Sequence, residues 1–268
     1  MWTIARLASR RVRSEIAICF GASIALMGAT LMLAFQITAS RNTDAFAGWI
    51  SLASFDLTAL VLVPVVVGLA VGTSLIGAEF DRATTVFAWS VSPSRRRWLF
   101  EAIVVGAVAT LLVSTPMAVA TEFLTDSIGS LSISSSLSVA EPSAILLPCR
   151  SVAALGIAVV VAIMTRRSLA TFVMAMLVSC LLLGSLELAF SAWREAAAIP
   201  LDSATPGMYF VANRIVSHSG ENYLTFVPVG LEPAARIGIL AAQGAATLAS
   251  GMVALVLAVV VVEKRRPV

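Results

Sequence analysis

Lysine and histidine are nearly missing from this 268-residue chain, each represented once, by Lys264 and His218. One histidine and one lysine leave little for acid–base catalysis. No G-x-S-x-G, no H-E-x-x-H and no aspartate pair at span depth is present. No Cys or acid cluster at ligand spacing surrounds His218, which argues against a metal site. The three cysteines, Cys19, Cys149 and Cys180, are odd in number and sit in or beside apolar runs. They are expected to be buried small residues, not a disulfide framework. Gly72 and Gly77 have the glycine spacing of a phosphate loop, but Ala78 and Glu79 follow where lysine and a hydroxyl are needed. No nucleotide can be cradled there.

Charge is scarce as well. Charged residues make up 12% of the chain, about half the roughly 25% of a soluble domain. Hydrophobic residues make up 59%, gathered in runs near the length that crosses a hydrocarbon core of about 30 Å. The net charge of +3 comes almost wholly from arginines at the ends of those runs. They do not line one soluble face, so nucleic acid is not an expected partner. The fold class is therefore all-α: a polytopic membrane protein of six transmembrane helices in one domain over residues 1–268.

The spans are expected at about 16–38, 55–78, 99–121, 144–165, 169–193 and 235–262. Before them, residues 2–14 place Ile4, Leu7, Ala8 and Val12 on one helical face and Arg6, Arg10 and Arg13 on the other, as in an interfacial helix. The first apolar run is too long for a signal-peptide core and more spans follow, so it is expected to be retained. Asp56 stands near the mouth of the second span, within reach of water. Gly68 and Gly72 form a G-x-x-x-G pair suited to close helix packing. Residues 122–143 are Ser-rich and expected to be a mobile loop. Arg150 can snorkel outward from the fourth span, and Ser168 can cap the fifth after the Arg166-Arg167 turn. Glu187 is the one ionisable residue within the fifth span, which makes it a candidate pathway residue; Arg194, seven residues on, can instead neutralise it. Residues 194–233 form the longest link, with Tyr209, Phe210, Tyr223 and Phe226, and are expected to hold short interfacial helices.

Basic residues set the orientation. With the amino terminus in the cytoplasm, Arg6, Arg10, Arg11, Arg13, Arg82, Arg95, Arg96, Arg97, Arg166, Arg167, Lys264, Arg265 and Arg266 fall on the cytoplasmic side. Only Arg41, Arg150, Arg194, Arg214 and Arg236 fall on the other. The positive-inside rule then predicts both termini inside.

The stretch from Pro64 to Phe100 organises the chain. An apolar run stops at Glu79, a charged loop follows, and Arg95, Arg96, Arg97 and Trp98 open the next span. Glu79, Asp81, Arg82, Thr84 and Thr85, then the Ser-rich segment to Trp98, resemble the first cytoplasmic loop of ABC transporter permeases of the type-2 exporter class, actinobacterial-like. Ala83-Thr84 stands where Gly-Thr is usual. The lipoprotein-release type of ABC permease is the runner-up, but it places a large outer domain after the first span, where this chain has no room.

The resemblance implies a cytoplasmic coupling loop over 79–98, with Trp89 and Trp98 as interface anchors and the Arg triplet facing an ATPase. It implies separate ABC ATPase subunits carrying ATP and Mg, no cofactor in this chain, and a second permease copy or a related permease. It also implies an elbow helix at 2–14, export as the direction, and residence in membrane lipid, in a bacterial plasma membrane. Residues alone leave other classes open: an ion-coupled secondary transporter, for which Glu187 is the sole candidate site, or a non-transport immunity or scaffold protein.

Overall fold

The computed structural model describes residues 13–40, 46–77, 79, 94–128, 143–200, 209–217 and 224–264. Six helices are long and apolar enough to cross a membrane. They are α1 (Arg13–Ala39), α2 (Phe46–Gly72), α3 (Arg95–Ile128), α4 (Leu146–Thr165), α5 (Ser168–Ala197) and α6 (Pro233–Lys264). A π-helical turn, Thr73–Gly77, closes α2. The expected interfacial helix over 2–14 lies almost wholly outside the described residues. Of the Ser-rich loop expected over 122–143, residues 122–128 instead continue α3 as helix, and 129–142 lie outside the described residues.

Helix α4 is the hub, with 83% of its apolar window buried against 17% for α1 and α5. Its small residues make this possible. A Cβ on Gly68 would sit 2.1 Å from the Ser151 carbonyl oxygen, and one on Gly72 would sit 2.7 Å from Ala158 Cβ. On the opposite flank, a Cβ on Gly251 of α6 would come 2.8 Å from Ala153 Cα. Real side chains cannot tolerate such separations. Glycine at these points lets two helix backbones lie directly against a third, where dispersion and not water drives association.

Prolines inside α2 and α3, Pro64 and Pro116, each remove a backbone donor. Pro116 leaves the Leu112 carbonyl without its usual donor, and hydroxyls bond the carbonyls on either side of it. Ser23 of α1 donates to the Val113 carbonyl at 2.6 Å, and the Thr115 hydroxyl donates to the Leu111 carbonyl at 2.7 Å. In lipid a carbonyl near such a break has no water to turn to, and the Ser23 bond also holds α1 against α3. The turn between α4 and α5 is set by Arg166, which takes a left-handed φ of 57° and sends its N–H to the Ala162 carbonyl. Ser168 is the first helical residue, and Arg167, in extended conformation, occupies the cap position without a side-chain bond. The expected Ser168 cap is thus displaced by one residue.

The link after α5 differs from expectation. Its described residues carry, where short helices were expected, a three-stranded antiparallel sheet in the order β1 (Ile199–Pro200), β3 (Leu224–Leu231), β2 (Tyr209–Ser217). Aromatic and β-branched residues dominate β2 and β3, which favours pleated backbone over helix. Val229 and Leu231 pack with Ala198, Ile239 and Phe190, seating the sheet on the ends of α5 and α6. His218 falls outside the described residues. Among the cysteines, Cys149 is buried and Cys19 half-buried, but Cys180 is exposed on α5, contrary to expectation.

Replacing Gly72 by Val should lower thermal stability in detergent by about 1–3 kcal/mol or more through overpacking. Gly48→Val, at a position facing open space, should leave the melting curve nearly unchanged.

Candidate functional site: the loop ends and the Glu187 clamp

Two places gather the residues singled out by sequence. At one end of the bundle, Gly77, Glu79 and Ser94 to Trp98 flank the stretch read as a loop. Asp81, Arg82, Thr84, Thr85 and Trp89 lie outside the described residues. Ser94 opens α3: its Oγ accepts from Arg97 N at 3.1 Å and its carbonyl accepts from Trp98 N at 3.1 Å. This is an N-cap, satisfying donors that the first turn leaves orphaned. The span thus begins at Arg95, a turn earlier than expected.

The arginines then diverge. Arg97 Nε donates to Glu101 Oε1 at 3.1 Å along the same face, whereas exposed Arg96 lies 3.9 Å from Glu263 of α6. Trp98 is not an interface anchor. Only 5% exposed, it joins Val71, Leu75, Ile76, Leu155, Ala258 and Val262 in one apolar cluster. One ring therefore wedges α3 against the π turn, α4 and α6. Gly77 keeps the π turn within reach of the α4–α5 turn: a Cβ there would be 3.2 Å from Ser168 Cα. Sequence reasoning missed Glu101 as a partner. Its Oε1 takes Arg97, and its other oxygen is buried with no hydrogen-bond partner among the described residues. The i, i+4 spacing of Arg97 and Glu101 was the available signal.

Nearer the other end, Glu187 is clamped. Its Oε2 accepts from Arg150 Nη2 at 2.6 Å and Gln243 Nε2 at 2.7 Å; its Oε1 accepts from Arg194 Nη2 at 2.6 Å. Arg194 Nη1 closes the ring to Gln243 Oε1 at 3.1 Å. Glu187, Arg150, Arg194 and Gln243 are exposed by 5%, 5%, 6% and 2%. Arg150 does not snorkel outward; it turns into the bundle because a carboxylate waits there. The network binds α4, α5 and α6 together. Phe190, three residues after Glu187, and Ile239, four before Gln243, belong to the apolar cluster beneath the sheet. Charges removed from water in this way are held by the hydrogen bonds that pair them.

Asp56 is also more enclosed than expected. It is 9% exposed, inside the second span, with Oδ2 at 2.7 Å from Thr30 Oγ1 of α1. Among the described residues no three metal-ligating side chains gather.

Six helices long and apolar enough to cross a membrane, four of them packed around a fifth that is mostly buried, define a multi-pass integral membrane protein. A family model described as "ABC-2 membrane transporter related" matches residues 15–193, more than half of the 268-residue chain. The chain belongs to that family, whose members are typically non-catalytic membrane components. No curated protein and no solved structure matches it.

Glu187→Gln should be strongly destabilising, by about 3–5 kcal/mol, because two guanidiniums stay buried without their anion. Replacing Glu187, Arg150 and Arg194 together by Leu should recover much of the loss in the same thermal unfolding assay.

Proposed function

We propose that the chain is the membrane-spanning permease subunit of an ATP-driven exporter in a bacterial plasma membrane. Separate ATPase subunits would bind ATP and Mg and act on it through residues 79–98. A second copy, or a related permease, would complete the translocation path. One observation carries this reading. Leu75 and Ile76, just before the 79–98 stretch, and Trp98 and Leu99 at its close lie in a single apolar cluster that joins α2 with its π turn, α3, α4 and α6. A force applied there is delivered to four helices at once, because close-packed interiors transmit displacement with little compression.

Family membership supports the same assignment, since the matched residues include the first five helices and the stretch itself. The exposed arginine heads at the start of α3 suit carboxylates or phosphates on a soluble partner. An ion-coupled mechanism has less support. Glu187, its one candidate, is held by two arginines and a glutamine, which disfavours cyclic uptake and release of a cation.

Charge reversal of Glu79 and Asp81 to Lys should reduce co-purification of the ATPase and export together. Undiminished association and export would count against docking at this stretch. With both termini cytoplasmic, cysteines introduced at Ser135 and Ser203 should react with an impermeant thiol reagent on intact cells. Reaction only in opened cells would invert the orientation.

A further inference from the structure

Between α1 and α2 lies a cleft of about 450 Å³ whose wall includes Met32, Leu33, Trp49, Phe55, Asp56 and Ala59. Its size falls within the roughly 300–1,000 Å³ of small-molecule sites. Nearly all of the lining is apolar. The one acidic residue in the wall is Asp56, nine-tenths buried. Its hydrogen bond is to Thr30 Oγ1 at 2.7 Å. That hydroxyl also lies 2.9 Å from the Leu26 carbonyl, and a hydroxyl carries one proton to share between them. Among the described residues no arginine or lysine pairs with Asp56. Glu187, by contrast, has two guanidiniums. A carboxylate so placed lacks the counter-charge that buried acids need.

We propose that this cleft is a binding site for a small amphipathic cation: a positively charged centre on an aromatic or aliphatic body. The body would lie along Met32, Leu33 and Phe55, and the charge would face Asp56. Trp49 adds an aromatic face, which attracts cations through its ring electrons. Phe55 is 71% and Leu52 51% exposed, so the cleft opens toward lipid and a lipophilic ligand can enter from the bilayer. A zwitterionic lipid headgroup fits less well. Its phosphate would accompany the ammonium to the carboxylate, and no basic side chain among the described residues lines the cleft to receive it. The site needs neither nucleotide nor partner, so it stands or falls apart from the exporter assignment.

The test is equilibrium binding of radiolabelled tetraphenylphosphonium to the full-length protein in phosphatidylcholine nanodiscs, with empty discs subtracted. Saturable binding is expected, at least about tenfold weaker in Asp56→Asn because the charge attraction is lost. The asparagine keeps an oxygen for Thr30. Ala59→Phe, which fills the cleft and leaves the carboxylate intact, should weaken binding comparably. Neutral triphenylphosphine oxide should not displace the probe. Binding equal to wild type in either variant would overturn the proposal, as would displacement by the neutral compound or no excess over empty discs. Should Asp56→Asn fail to give monodisperse protein, Ala59→Phe and the neutral competitor decide the matter alone.

Discussion

Helix α4 can be central only because its neighbours approach to backbone contact. Glycines at 68, 72 and 251 leave no room for a Cβ against Ser151, Ala158 and Ala153. In water, burying a helix face is driven by expulsion of solvent. In lipid that force is missing, and what remains is close fit. At these contacts the hub presents serine and alanine, where a larger side chain would hold the backbones apart. The larger side chains, such as Leu155 and Trp98, fill the spaces that this contact defines.

The two ends of the bundle are finished differently. Where α3 begins, the seal is apolar: Trp98 is driven under the π turn, and the arginines beside it stay half-buried or exposed. Toward the sheet the seal is ionic: one carboxylate gathers two guanidiniums and an amide from three helices. An apolar contact tolerates sliding, because dispersion has little directional preference. A ring of charge-assisted hydrogen bonds does not, since a displacement of an ångström breaks it. The arrangement is thus pliant at the first end and fixed near the second.

How much of this was written in the chain depends on the range of the interactions. The six spans were legible because length and apolarity are local properties, while their limits erred where the helix runs on past the apolar stretch, as at Phe46, Arg95 and Ile128. Gly68 and Gly72 stood out by spacing. Their target did not, since nothing local in Ser151 to Ala158 marks it as the hub. Arg150 and Asp56 were both placed toward water, because a single span gives no account of what stands beside it. Glu187 lies 37 residues from Arg150 and 56 from Gln243, so only the folded bundle brings them together. The strands over 209–217 and 224–231 were missed for another reason. Their β-branched runs were visible, but aromatic residues near a span were read as interfacial helix.

Helix α3 has 34 residues, so it measures about 51 Å, well beyond a hydrocarbon core of about 30 Å. Its far tip is tethered: Glu122 Oε1 accepts from the backbone N–H of Ala144, just ahead of α4, at 2.9 Å. Such a rod magnifies motion. Rocked by about 5° around its tethered tip, it would swing the Arg95 end through roughly 4 Å, with Pro116 the point along its length most able to yield.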